Sequence, residues 1–206
     1  MKFQRRKKRK RLKPHILILC EGHTERNYFL GFKDEFHLVA TYIEKAKRAT
    51  PIEVVKEAIS KQKEKIKAEN PFDQVWVLFD HDLRHKEVIK ACNLAKENKI
   101  KICFSSIAFE YWYLLHFQKT CRAFQKNSEL IKELKKHYPD YTKSKGAEAK
   151  DFNRLYPYLK DAMANSVWLR KEVQRNHAST PIHKCKQNPW VDTDILIDTL
   201  KNLTIG

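Results

Sequence analysis

Glycine is scarce in this chain, four residues in 206, and methionine scarcer still at two. So few glycines leave little room for long flexible loops. Neither G-x-x-x-x-G-K-[ST] nor G-x-G-x-x-G occurs, which sets aside phosphotransfer through a glycine-rich phosphate cradle. No apolar run approaches the roughly 18 residues a membrane-spanning helix needs, so no membrane partner is expected. The start is basic but lacks the apolar segment of a secretory signal, and a cytoplasmic location is the expectation. The five cysteines (Cys20, Cys92, Cys103, Cys121 and Cys185) are odd in number and form no C-x-x-C, which points to reduced thiols rather than a disulfide framework. A zinc site from His177, His183 and Cys185 is poorly spaced and is set aside. Acid is missing altogether from residues 1–13, where nine Lys and Arg residues stand.

What is present suffices for a core: 42% hydrophobic residues, with 11 Phe, 8 Tyr and 4 Trp. The formal net charge is +17, and beyond residue 13 the chain still carries +8. A basic body with a basic arm attracts polyanions, of which phosphate backbones are the commonest, so a nucleic-acid partner, DNA or RNA, is expected. Arg5, Arg6, Lys7, Lys8, Arg9, Lys10 and Arg11 are the candidate contacts in the arm. Residues 1–13 are expected to be disordered in isolation; taken alone, such an arm also reads as a solvated tail that aids solubility.

The organisation is read as a basic arm over 1–13, an α/β core over 14–117 and a helical extension over 118–206 packed on that core. Residues 15–20 read as a buried strand, followed by a helix capped by Thr24 and running to about Phe36. A second strand is expected at Leu38–Ile43. Thr50-Pro51, with Glu53 three residues after the cap, opens a helix to Lys67 with Ile52, Val55, Ile59 and Ile66 as its apolar stripe. Gln74–Phe79 is the strongest strand signal, followed by a helix over about 86–97, a strand over 100–104 and an apolar helix over 107–117. This alternation predicts a doubly wound, mainly parallel four-stranded sheet. Helices are then expected over 128–137 and 148–176, the latter with Phe152, Leu155, Leu159, Met163 and Val167 inward and split by Pro157. A last helix starts at Asp192 or Thr193 and runs to Leu203.

Acids sit at two strand ends. In Leu19-Cys20-Glu21-Gly22-His23-Thr24-Glu25 a strand meets Glu21, a glycine that permits a sharp turn, and Glu25 four residues after Glu21. In Phe79-Asp80-His81-Asp82 alternation puts Asp80 and Asp82 on one side, close enough to share a cation. Carboxylates crowded together repel unless a proton or metal joins them. Such oxygen donors suit Mg²⁺, Mn²⁺ or Ca²⁺. Each cluster alone also reads as a turn with solvated acids; both at carboxyl ends of parallel strands would share one crevice. Arg84 is either a phosphate contact or a solvated loop arginine. Trp168, Tyr156 and Trp190 could stack bases or fill the core, and His116 reads as a core histidine bonded to backbone.

These motifs resemble the Toprim domain of topoisomerases, primases and certain nucleases, and more closely the RloB-like family of bacterial defence-associated Toprim proteins. The resemblance rests on Glu21-Gly22 with Glu25, Tyr28 and Phe29, then Phe79-Asp80-x-Asp82, then Phe109-Glu110-x-Trp112-x-Leu114-Leu115-His116-Phe117, with a late Asn188-Pro189. It spans about residues 15–203. It implies a metal-dependent phosphodiester site using one or two Mg²⁺ or Mn²⁺ ions. Asp80 and Asp82 would bind metal, and Glu21 would serve as ligand or general acid/base. Glu25 would match the added acid of the overcoming-lysogenization-defect type of Toprim nuclease. For Glu110 two readings stand: a further ligand, or an exposed acid at a helix start favoured by the dipole. The implied activity is nucleic-acid cleavage in antiphage defence, with a partner protein of a defence system. The alternative is a nucleic-acid-binding or sensing subunit with the same fold and little chemistry of its own.

Overall fold

Five consecutive apolar residues, all without exposure, make Ile16–Cys20 the central strand β1 of a four-stranded sheet. The computed structural model describes residues 13–80, 85–143, 150–176 and 186–203. Residues 1–12 with the arm candidates, Asp82, Arg84, His177, His183 and Cys185 lie outside the described residues.

β1 pairs in parallel with β2 (Thr41–Lys45) on one side and β3 (Gln74–Asp80) on the other, and β3 pairs in parallel with β4 (Lys101–Ser105). The order β2-β1-β3-β4 is an α/β arrangement in which the chain steps one way from β1 to β2 and the other way to β3 and β4. The gap between β1 and β3 is therefore the topological switch point, outside whose carboxyl ends ligands bind in such sheets. Helices α1 (His23–Glu35), α2 (Pro51–Lys67) and α3 (His85–Glu97) connect the strands. α2 and α3 pack on each other and on β3 and β4, while α1 packs on β1 and β2.

The short helix α4 (Glu110–Leu115) is buried throughout, narrower than the expected 107–117. Beyond it lie α5 (Asn127–Leu134), α6 (Lys150–Leu155), a single 3-10 turn at Tyr156–Tyr158, α7 (Leu159–Asn176) and α8 (Thr193–Asn202). Pro157 sits in that 3-10 turn and separates α6 from α7, as its missing N–H requires. α6 lies on α1 at Gly31, where an added Cβ would come within 2.6 Å of Phe152 Cβ. The chain returns to β4 by an antiparallel bridge between Ser105 and Val191, and Arg170 of α7 ties down α8 through a two-point ion pair with Asp194.

Several local expectations shift. The second strand begins at Thr41, because Phe36–Ala40 turns the chain out of α1, with Leu38 N–H donating to Lys33 O and Val39 three-quarters exposed. Thr24 lies inside α1 and does not cap it; the cap residue is Gly22, with no side-chain bond. Thr50 does cap α2, its hydroxyl accepting from Glu53 N–H at 3.4 Å. Ile66 and Val167 face solvent, and Val54, Ala58, Ala162 and Leu169 occupy the inward faces instead. With so little glycine, α1, α2 and α3 are followed by His37, Glu69 and Lys99 in the left-handed region, at φ 50, 54 and 57°. A side chain there costs more than glycine does. Glu69→Gly and Lys99→Gly, both at exposed positions, should each stabilise the fold by about 0.5 kcal/mol after glycine's own entropy cost, or roughly 1–2 °C in melting temperature by calorimetry.

Candidate active site

Register brings the first acids together. Cys20 stands opposite Leu78, so the next residue of β1's exit, Glu21, donates its N–H to Leu78 O at 2.8 Å. The Glu21 carboxylate in turn accepts the backbone N–H of Asp80 at 3.0 Å, which fixes it across the ends of β1 and β3. α1 then returns Glu25 to the same place. Gly22 is extended, at φ −115° and ψ 179°, so the sharp turn expected of it is not its role. Its missing side chain makes space: a Cβ there would lie 2.6 Å from Glu25 Oε2. Glycine at 22 lets the Glu25 carboxylate fold back over the strand end.

Glu110 arrives from α4 and has no exposure at all, which rules out the exposed-acid reading of this residue. Its Oε1 accepts the Tyr141 hydroxyl at 2.7 Å and pairs with Lys143 Nζ at 3.1 Å. Together Glu21, Gly22, His23, Thr24, Glu25, Ala49, Asp80, Phe109, Glu110 and Lys143 line a crevice of about 320 Å³. Lys143, about half exposed, brings an ammonium to these four acids.

The electrostatics follow from that imbalance. Burial raises the Glu25 carboxyl to about 7; a hydrogen bond from its own backbone N–H and the charge of Lys143 oppose this, and Glu110 and Glu21 add to it. Asp80 is pushed well above the ordinary carboxylate range, by burial first and then by Glu25, Glu110 and Glu21. Burial alone would lower the Lys143 ammonium, but Glu110 and Asp80 outweigh it and raise its pKa. The group is hard, oxygen-only and short of positive charge, which fits a divalent cation of the Mg²⁺ or Mn²⁺ kind. Among the described residues no three His, Cys, Asp or Glu side chains form a ready-made metal cluster, and Asp82 lies outside them.

Of the expected site residues, Glu21, Glu25, Asp80 and Glu110 converge. Sequence reasoning missed Tyr141 and Lys143, which reach the crevice from a stretch with no acidic motif; a tyrosine and a lysine two positions apart are too common to signal it. His116 is a buried core histidine, with Nδ1 2.9 Å from Trp112 O and its pKa lowered by burial to about 4. Trp190 is core, donating Nε1–H to Asp192; Trp168 is part-buried under Lys119, and Tyr156 is partly exposed. Among the described residues no helix is long and apolar enough to cross a membrane.

Compared with known proteins, residues 16–200 match the family model described as RloB-like protein. No curated protein and no solved structure matches the chain.

The raised Glu25 pKa has a sign. The folded chain keeps a proton that the unfolded chain, at about 4.5, gives up. That contribution to stability is complete below about 4.5 and is lost as pH climbs through about 7. In chelated buffer, Glu25→Gln and the unaltered protein should melt close together near about pH 5 and separate by about 5 °C, the variant higher, near about pH 8. A gap that stays flat across that range in scanning calorimetry would contradict a buried, mutually repelling acid at 25.

Proposed function

This chain belongs to the RloB-like family, and we propose that it is a metal-dependent nuclease hydrolysing phosphodiester bonds of DNA or RNA in bacterial antiphage defence, inside the cytoplasm and alongside a partner protein. The observation that carries this reading is the convergence of Glu21, Glu25, Asp80 and Glu110 on one crevice at the switch point of a parallel sheet. The arrangement of Glu21-Gly22 at one strand end and Asp80 at its neighbour is similar to the Toprim layout, which supports the phosphodiester assignment.

Glu21, Glu25, Asp80 and Glu110, with Asp82 from the adjoining segment, are the residues that would hold one or two Mg²⁺ or Mn²⁺ ions. Such an ion supplies Lewis acidity toward phosphoryl oxygens and a hydroxide-like nucleophile near neutral pH. The protein's own groups prepare for this. The Asp80 N–H holds Glu21 in one orientation, and the Tyr141 hydroxyl and Lys143 hold Glu110. Glu25, near 7, can carry or release a proton around neutral pH, as general acid/base work requires. Lys143 places a half-exposed ammonium at the rim, where a phosphate oxygen can take it up. The +8 of the chain beyond its arm, Arg84 included, and the arm's Arg5–Arg11 supply the attraction for the backbone.

A second reading, a nucleic-acid-binding or sensing subunit, draws on the same basic arm and surplus charge. It expects binding that persists in chelator, weakens steeply with salt and survives loss of the acids.

Purified full-length protein should cut DNA or RNA with Mn²⁺ or Mg²⁺ and stop in chelator. Glu21→Ala and Asp80→Ala should each lower cleavage by roughly 100-fold or more. Folded variants that cut at the unaltered rate would dismiss the site, and binding without any cleavage would favour the second reading. Gly22→Ala should melt near the parent temperature, because the atom it meets is the tip of the Glu25 side chain, yet lose most cleavage by displacing that carboxylate.

A further inference from the structure

A second, larger cavity of about 680 Å³ opens where the end of α4 meets α5, α6 and α7, and it shares no lining residue with the acidic crevice. Its wall carries the buried ring of His116 and three further rings, Phe117, His137 and Tyr158. His137 lies parallel to Phe117, at 6° with centroids 5.9 Å apart, and Tyr158 sits 5.2 Å from Phe117 at 55°. Phe117 packs against the core with part of its ring exposed, whereas His137 and Tyr158 are exposed, Tyr158 keeping 45% of its surface in water.

Charge of both signs lines the same groove. Arg154 lies 5.3 Å over the Tyr138 ring and forms no ion pair with a carboxylate among the described residues. Asp161 is likewise without an ion-pair partner among them, although both charges line one cavity. Asn165 donates to Leu115 O at 2.8 Å, which leaves its amide oxygen as an acceptor. Flat rings that can stack a base, a guanidinium that suits a phosphate, and acceptors for ring N–H or ribose hydroxyl groups are the complement of a nucleotide. A purely apolar ligand would leave the arginine and the aspartate unanswered, and an inorganic anion would leave the rings unused.

We propose that this groove binds one nucleotide, its base against Phe117, His137 and Tyr158 and its phosphate at Arg154. The same chemistry is offered by a free mononucleotide and by one unit of a nucleic-acid strand. This goes beyond the cleavage site and does not depend on it, since the residues are different and no metal is invoked.

The test is calorimetric titration of the full chain, in chelator, with AMP, with GMP and with a short oligothymidylate. Tyr158→Ala and Arg154→Ala should each weaken saturable binding roughly fivefold or more, while Tyr158→Phe keeps it. Dependence on these residues with AMP or GMP identifies a free nucleotide as the source; the same dependence with the oligonucleotide alone identifies a strand. Both positions are exposed, and Arg154→Ala carries the comparison if Tyr158→Ala does not fold. Absence of saturable binding by all three probes, or binding indifferent to both variants, overturns the proposal. Because cleavage is measured with metal and this binding without it, either can fail alone.

Discussion

Taking a carboxylate out of water costs several kcal/mol unless something answers its charge. This chain does so with Glu25 and Glu110, sets the part-buried Asp80 between the same elements and places the half-exposed ammonium of Lys143 beside them. Burial first, and then the neighbouring carboxylates, push both Glu25 and Asp80 toward the protonated form. Much of the surrounding architecture reads as support for that unfavourable arrangement. β1 and β3 are almost fully buried, and their pairing continues past the end of β1 through Glu21 N–H to Leu78 O and the Glu21 carboxylate on Asp80 N–H. An apolar sheet of this kind can sustain a local electrostatic cost that a looser loop could not.

The charge distribution outside the crevice has the opposite sense. The protein is basic even without its arm, while the crevice is acidic, so a polyanion meets attraction over the surface and repulsion at the crevice floor. Lys143 stands at the boundary between the two fields. A divalent cation held by the acids would offset much of that negative charge and lessen the contrast between the crevice and the rest of the molecule.

How much of this was legible in sequence depends on the range of the interaction that decides it. The five-residue apolar run of β1, the Thr50-Pro51 cap and the break at Pro157 are local signals, and each is seen in the fold. The β-α alternation carried the parallel sheet, because parallel strands need crossovers of that length. The second strand slipped by three residues since Val39 and Leu38 have strand-like side chains but lie in the turn that closes α1. Helical spacing alone puts Ile66 and Val167 inward, yet Val54 and Ala58 on α2 and Ala162 and Leu169 on α7 do that packing. Gly22 was visible as a glycine; that it serves space rather than conformation needed the position of the Glu25 carboxylate. The burial of Glu110 depends on Tyr141 and Lys143, more than thirty residues away, and no local pattern could indicate it.

The Glu21 carboxylate and the Asp80 amide are separated by 59 positions, and Glu110 and Lys143 by 33. A chain emerging from the ribosome therefore exposes Glu21 with Glu25, Asp80 with Asp82, and Glu110 as three separate sets, each with its ordinary hydration. The crowding arises only when long loops have closed and the central strands have paired, which is the slow part of assembling a parallel sheet. An incomplete or misfolded copy would thus lack the concentrated negative site altogether, and whatever chemistry the crevice performs is withheld until the whole domain is in place.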